Sequence, residues 1–432
     1  MSAATLDALR RGELSGLREL RLPGLGLTVF PPEILGLAET LEVLDLGGNA
    51  LSDLHPELGR LRRLRALFLS GNPMARLPPV LGELPALSQI GIRGSGLREL
   101  PAEALPPALR WLTLTDNRLE SLPAALGERP LLQKLMLAGN RLRELPASLA
   151  GASGLELIRL SANGLDGLPP WLAELPRLAW IAWSGNPFDT GAPPVTEAVP
   201  WEALEAGPVL GEGASGRVHR ALWRRGSGAT PRPVALKLFK GAMTSDGLPE
   251  REMAALLAAG EHPGLTGALG RLSGHPEGLD GLLMPLLPPD WRVLAGPPSL
   301  ESCSRDIYDP SLRLEPEAAL RLAGGIAGAV AHLHGRGLLH GDLYAHNILW
   351  DGRAGDGVLS DFGAASFLPP GAEGNAFRRV EVRAWGLLLG ELLERCAGAP
   401  SVALAELQRR CAAAPAERPL MGEVLEVLRG SG

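Results

Sequence analysis

One pattern of eleven residues returns eight times in the first 190 positions. LRELRLPGLGL begins at 17, LEVLDLGGNAL at 41, LRALFLSGNPM at 64, LSQIGIRGSGL at 87, LRWLTLTDNRL at 109, LQKLMLAGNRL at 132, LELIRLSANGL at 155 and LAWIAWSGNPF at 178. The starts lie 22 to 24 residues apart. One such unit holds a short strand and a return arc, and alone it cannot bury its leucines. Stacked units share one apolar interior, so the spacing predicts a solenoid.

The LxxLxLxxNxL pattern resembles the leucine-rich-repeat family, and the resemblance covers roughly residues 10 to 190. Asn49, Asn72, Asn117, Asn140, Asn163 and Asn186 hold the ninth position, where an inward amide can satisfy backbone groups between neighbouring units. Leu25 and Ser95 replace it in two repeats, which marks an irregular first unit and a weak point at the fourth. Leu-Pro pairs such as Leu77-Pro78, Leu122-Pro123 and Leu145-Pro146 fix extended chain on the return path. Side chains alternate along a strand, so Phe68, Trp111, Met136, Leu157 and Trp180 are expected on the concave face. Large aromatics there point to a docking patch for a protein partner or substrate, or for the second half of the chain.

A chain of 432 residues, 45% hydrophobic and 21% charged, has material for more than one cored domain. A net charge of −6 without a basic cluster speaks against nucleic acid as a partner. No apolar run of about 18 residues occurs, and the N-terminus lacks a secretory core, so neither a membrane span nor export is expected. Cys303, Cys396 and Cys411 have neither zinc-site spacing nor an even count, which suits a reducing cytoplasm. Lys134, Lys237 and Lys240 are the three lysines among 42 basic residues, a bias of the kind a GC-rich, bacterial gene produces.

After Phe188 the repeat stops in DTGAPPVTEAVP, which reads as a linker or cap. From Trp201 onward the chain resembles a protein kinase. LGEGASGRV, Leu210 to Val218, is a GxGxxGxV, weak alone in a chain with 55 glycines. VALK, Val234 to Lys237, strengthens it by ending a predicted strand in one of the rare lysines. EREMAALLAAGEHPGL resembles the following helix, with Glu252 the expected partner of Lys237 and Glu250 the runner-up. GLLMPLLPP resembles the hinge, with Met284 beside it. HGDLYAHNIL, His340 to Leu349, resembles the catalytic loop, and DFG follows at Asp361 to Gly363. The expected whole is an α/β leucine-rich-repeat solenoid over 1–190, a linker over 191–200 and an α+β bilobal kinase-like fold over 201–432. Its small lobe spans about 201–284 and its large lobe about 288–432.

The resemblance implies ATP and Mg²⁺ as cofactors. Asp342 would take or orient the acceptor hydroxyl proton, with Lys237, Glu252 and Asn347 completing the catalytic set. Asn347 and Asp361 would hold the metal. Leu210, Gly211, Gly213, Gly216, Val218, Ala235, Lys237, Pro285, Leu287 and Leu349 would line the nucleotide. Proline at 285 is compatible, because that position offers adenine a carbonyl while the donor amide comes from Leu287.

Departures from the family pattern are equally informative. Gly341 replaces the arginine that meets a phosphorylated activation segment, and 363–381 is short with Ser366 its single hydroxyl. Control by activation-segment phosphorylation is therefore not expected. Tyr344 stands in place of the serine/threonine-kinase lysine, His346 where tyrosine kinases often keep an arginine, and Glu381 in place of a bracing aspartate. The reading is an active serine/threonine-type protein kinase with a repeat domain for protein interaction. A nucleotide-binding pseudokinase scaffold and a kinase-fold small-molecule phosphotransferase remain as alternatives.

Overall fold

The computed structural model describes residues 2–191, 198–226, 228, 230–241, 243–397 and 401–430. The chain forms two compact units. The first holds 1–177 and 186–188; the second holds 178–185 and 189–432.

In the first unit, helix α1 (Ser2–Arg10) precedes seven three-residue strands: β1 (Glu19–Arg21), β2 (Val43–Asp45), β3 (Ala66–Phe68), β4 (Gln89–Gly91), β5 (Trp111–Thr113), β6 (Lys134–Met136) and β7 (Leu157–Arg159). They pair in parallel with each repeat directly beside the next, Leu20 on Leu44 on Leu67 on Ile90 on Leu112 on Leu135 on Ile158. These central residues form the buried spine. The return arcs enter 3-10 turns through proline: Pro78, Pro123 and Pro146 sit at φ −62 to −70° and ψ 128 to 144°, as the Leu-Pro pairs predicted.

Asparagines stitch the repeats together. Asn140 donates to Leu137 O in its own repeat and to Leu114 O in the one before, both at 2.9 Å, and accepts from Leu119 N–H at 3.1 Å. Asn49, Asn72, Asn117 and Asn163 repeat this pattern. The residue before each turns left-handed, which Gly48, Gly71 and Gly139 accept freely; Asp116 and Ala162 adopt it at a cost of about 1–2 kcal/mol each. At the fourth repeat Ser95 is too short for the bridge, and the Met74 amide donates to Asn72 O within its own repeat.

Of the expected concave patch, Phe68 and Trp111 are half-buried, and Lys134 lies 4.2 Å above the Trp111 ring. Met136, Leu157 and Trp180 depart from the expectation of exposure, at 7%, 2% and 2% accessible. Met136 stands in register between Thr113 and Arg159, and Leu157 beside Lys134, so flanking side chains one strand spacing away crowd both. Trp180 belongs to the second unit and is covered by an aromatic stack there.

That unit opens with β8 (Trp180–Ala182) and β9 (Ala198–Pro200). Of the expected linker, 192–197 lie outside the described residues, while β9 pairs in parallel with a strand at 270–273. Next come β10 (Leu204–Glu212), β11 (Gly216–Trp223), β12 (Arg232–Phe239), helix α2 (Pro249–Ala259), β13 (Gly270–Ser273) and β14 (Gly281–Pro285). Their sheet runs β10-β11-β12-β14-β13-β9, antiparallel apart from the last pair. The remaining elements are β15 (Arg292–Val293), α3 (Pro316–Gly335), β16 (Leu338–Leu339), β17 (Ile348–Trp350), β18 (Gly357–Leu359), β19 (Ser366–Phe367), α4 (Gly371–Leu393), α5 (Val402–Cys411) and α6 (Met421–Arg429).

Helix α3 buries Leu322, Ile326, Val330 and Leu333, a stripe at helical spacing, and α4 buries Phe377, Trp385, Leu388 and Leu392. Helix α4 starts directly after Pro370, earlier than the apolar periodicity from Val380 suggests, so most of the segment after the DFG is already helical. Among the described residues no helix is long and apolar enough to cross a membrane.

Replacing Asn140 by alanine strands two buried carbonyls and one amide, so the full chain is expected to lose about 1–3 kcal/mol in urea unfolding. Ser95→Ala, where the bridge is already missing, is expected to lose much less; equal losses would contradict the ladder.

Candidate active site

Strand β12 presents Lys237 opposite Val218 of β11 and Leu282 of β14. Its ammonium bonds the Glu252 carboxylate of α2, and Glu250 does not compete for it. Burial pushes the Glu252 carboxyl upward, against the pull of Lys237 and with the nearby Asp361 adding to the rise. The β10–β11 turn carries the glycines. Gly216 is sterically required, since a Cβ would come within 2.3 Å of Leu238 O, whereas Gly211 and Gly213 face open space. Lys240 holds the turn through Gly213 O at 3.0 Å and Glu212 at 2.7 Å. Leu210 is exposed above, and Val218 is half-buried. Ala235 is buried opposite Met284, Pro285 pairs with Val234 at the end of β14, and Leu287 lies half-buried just beyond. Leu349 lies in register with Val293 and Val358.

The loop from His340 to Asn347 is fixed residue by residue. His340 is fully buried: its Nε2 donates to Ser360 O at 3.0 Å, and its Nδ1 accepts from Asp342 N–H at 3.3 Å. Gly341 is left-handed at φ +75°. Its N–H donates to Glu381 Oε1 at 2.7 Å, and its carbonyl accepts from Ile181 N–H at 3.2 Å. The Asn347 amide donates to both the carbonyl and the carboxylate of Asp342, at 2.9 and 2.8 Å. That use of the nitrogen leaves the amide oxygen as the atom for a hard cation.

Asp361 adopts φ +58°, a left-handed conformation costly for a non-glycine residue, with Oδ1 accepting from Gly363 N–H at 3.1 Å. Strain of this kind concentrates at working sites. Asn347 and Asp361 offer two oxygen donors, the set expected where magnesium keeps waters and substrate phosphates as its other ligands.

Three supports lie outside the expected site residues. Glu381 takes over the brace: its Oε2 accepts from His334 Nε2 at 2.9 Å while Oε1 serves Gly341. Burial alone would raise its carboxyl; the His334 and Gly341 donors outweigh that and hold it below the ordinary range. Asp306 grips His346 through the backbone N–H at 3.0 Å and the ring Nδ1 at 2.7 Å. Burial disfavours the imidazolium, yet Asp306, with Asp342 and Asp361 nearby, holds its pKa above the usual value. Trp180 stacks on Tyr344 at 4.1 Å and 7°, and its Nε1 donates to Leu343 O at 2.8 Å. Glu381 was marked in the sequence as a departure. Asp306 sits in a loop with no motif, and nothing local announces it.

Comparison with known proteins follows the same division. Residues 204–373 match the model of the protein tyrosine and serine/threonine kinase family, and residues 15–74 match that of the leucine rich repeat. CBL-interacting protein kinase 22 of Oryza sativa subsp. japonica is 34% identical over 180 residues, 38% of this chain and 36% of that protein. Non-receptor tyrosine-protein kinase TNK1 of Mus musculus is 33% identical over 159 residues, 35% of this chain and 21% of that protein. The chain thus spans about a third and a fifth of the two relatives. It carries a leucine-rich-repeat region followed by a kinase-like domain.

The loop carrying Asp306 is anchored by Tyr308, whose hydroxyl donates to Glu391 at 2.8 Å. Burial pushes the Glu391 carboxyl up to about 7 from 4.5. A raised carboxyl stabilises the fold below its unfolded value and loses that contribution as pH climbs through the folded one. Glu391→Gln is therefore expected to match the wild type near pH 4.5 and to exceed it in unfolding free energy above pH 7. A difference independent of pH would contradict this.

Proposed function

We propose that the chain is an ATP-dependent protein kinase of the serine/threonine type, cytoplasmic, with its repeats serving protein interaction. The observation that carries the reading is the pairing of Asn347 with the Asp342 carboxylate, together with the closed Lys237–Glu252 pair. Both are the arrangements that phosphoryl transfer needs: one orients a proton acceptor, the other aims an ammonium at phosphate.

In this reading the amides of the Gly211–Gly216 turn and Lys237 receive the nucleotide phosphates, and adenine lies near Ala235, Pro285, Leu287 and Leu349. Asn347 and Asp361 would hold Mg²⁺, which when bound cancels charge on the phosphates. Asp342 orients the acceptor hydroxyl and takes its proton as the new O–P bond forms and the β–γ bridge bond breaks, releasing ADP. The half-buried His346, whose imidazolium Asp306 favours, would when protonated add positive character beside Asp342, where the lysine of serine/threonine kinases is missing.

A small hydroxylated acceptor is a second reading. Its support is the covering of Tyr344, two residues from Asp342, by Trp180, which narrows that side of the loop.

The test is labelled ATP and Mg²⁺ with the purified chain, supplied with protein acceptors or with small polyols and aminoglycosides. Label on protein is expected, reduced about a hundredfold or more in Asp342→Asn and in Lys237→Met. Label on the small compounds alone supports the second reading. Nucleotide binding without transfer would overturn both and leave a scaffold.

A further inference from the structure

The segment from Leu178 to Asp189 reads in the sequence as the end of the repeat array, yet 178–185 and 189 belong to the second unit. Its polar contacts there reach the catalytic loop, the segment after Asp361 and helix α2. Ile181 N–H donates to the Gly341 carbonyl, and the Trp180 indole donates to the Leu343 carbonyl; the two acceptors flank Asp342. Trp183 donates its backbone N–H to Ser366 Oγ at 3.0 Å and its indole N–H to Phe367 O at 3.2 Å, five and six residues beyond Asp361. Asp189 pairs with Arg251, the neighbour of Glu252 on α2.

The residue replacements agree with this arrangement. A Cβ at Gly341 would stand 2.3 Å from Ile181 O and 2.8 Å from Ala364 O, both backbone atoms, at a positive φ. A side chain at 341 and strand β8 therefore exclude one another. Tyr344 in place of a lysine supplies the flat face on which Trp180 lies, a stack that an ammonium stem cannot offer.

We infer that residues 178–185, together with Asp189, are an integral clamp of the phosphotransfer site: Trp180 and Ile181 are positioning residues for Asp342, and Asp189 is one for Glu252. The clamp sets the catalytic loop from the moment the chain folds and replaces an arginine–phosphate contact as the ordering device. This rests on the kinase reading for its consequence in rate, though not for the contact itself.

The experiment uses the full chain with Trp180→Ala, Trp180→Phe and Gly341→Ala. Amide hydrogen exchange of the 338–347 peptide is read beside exchange in the distant repeats, with kcat and KM for ATP measured separately. Trp180→Ala and Gly341→Ala are expected to speed exchange in 338–347 while leaving the repeats near 41–140 unchanged. They are expected to lower kcat about tenfold or more and to shift KM for ATP little, since a small misplacement of the proton acceptor is costly while the nucleotide's own contacts stay. Trp180→Phe keeps the stack and is expected to recover much of the kcat. Unchanged exchange in 338–347, or equal acceleration throughout the chain with no recovery in Trp180→Phe, would overturn the clamp. A wild type that transfers no phosphate would overturn the kinase reading, and the exchange data alone would then decide the clamp.

Discussion

The two backbone groups of Gly341 hold the loop on which the chemistry depends. Its N–H is spent on the buried Glu381 and its carbonyl on Ile181, and both bonds require a left-handed residue with no side chain. A carboxylate as deeply buried as Glu381 is costly unless its oxygens are used, and His334 and Gly341 use both. Asp342 is therefore gripped on its N-terminal side by main-chain bonds and on its other side by the Asn347 amide. The acceptor end of the site is thus built on two carboxylates, Glu381 beneath Gly341 and Asp342 itself, each held by N–H donors.

Much of this was legible in the sequence, because repeats and catalytic motifs are local patterns. Eight copies of one leucine spacing specify a solenoid, and the Asn ladder follows from the ninth position. The ordered glycine turn, Lys237, Glu252, Asp342, Asn347 and Asp361 pointed to one site, and the structure gathers Lys237 with Glu252 and Asn347 with Asp342. What was not legible depends on contacts far apart in the chain. Alternation along a strand places Trp180 on a face but says nothing of what covers that face, and its partner Leu343 lies 163 residues away. Asp306 meets His346 across 40 residues from a loop without periodicity. The early start of α4 was hidden because Gly371 to Arg379 lacks an apolar stripe and carries two glycines.

Ser366 shows how sequence and structure bear on control. It is the single hydroxyl of a short segment, in which control by phosphorylation was not expected. It is fully buried, accepts from Trp183 N–H and donates to Ala364 O at 3.2 Å. A phosphate there would have to break the contact that ties the segment to β8. Removing the hydroxyl would also disturb that contact, so Ser366→Ala reports on packing as much as on phosphorylation.

The central claim is that the catalytic loop is ordered by β8 from the outset. Its most direct measurement is the early time course of phosphate transfer by full-length chain produced together with a phosphatase and freed of it before assay. The account predicts product rising linearly from the first turnover, at a rate that preincubation with ATP does not change. A lag that preincubation with ATP abolishes would contradict it.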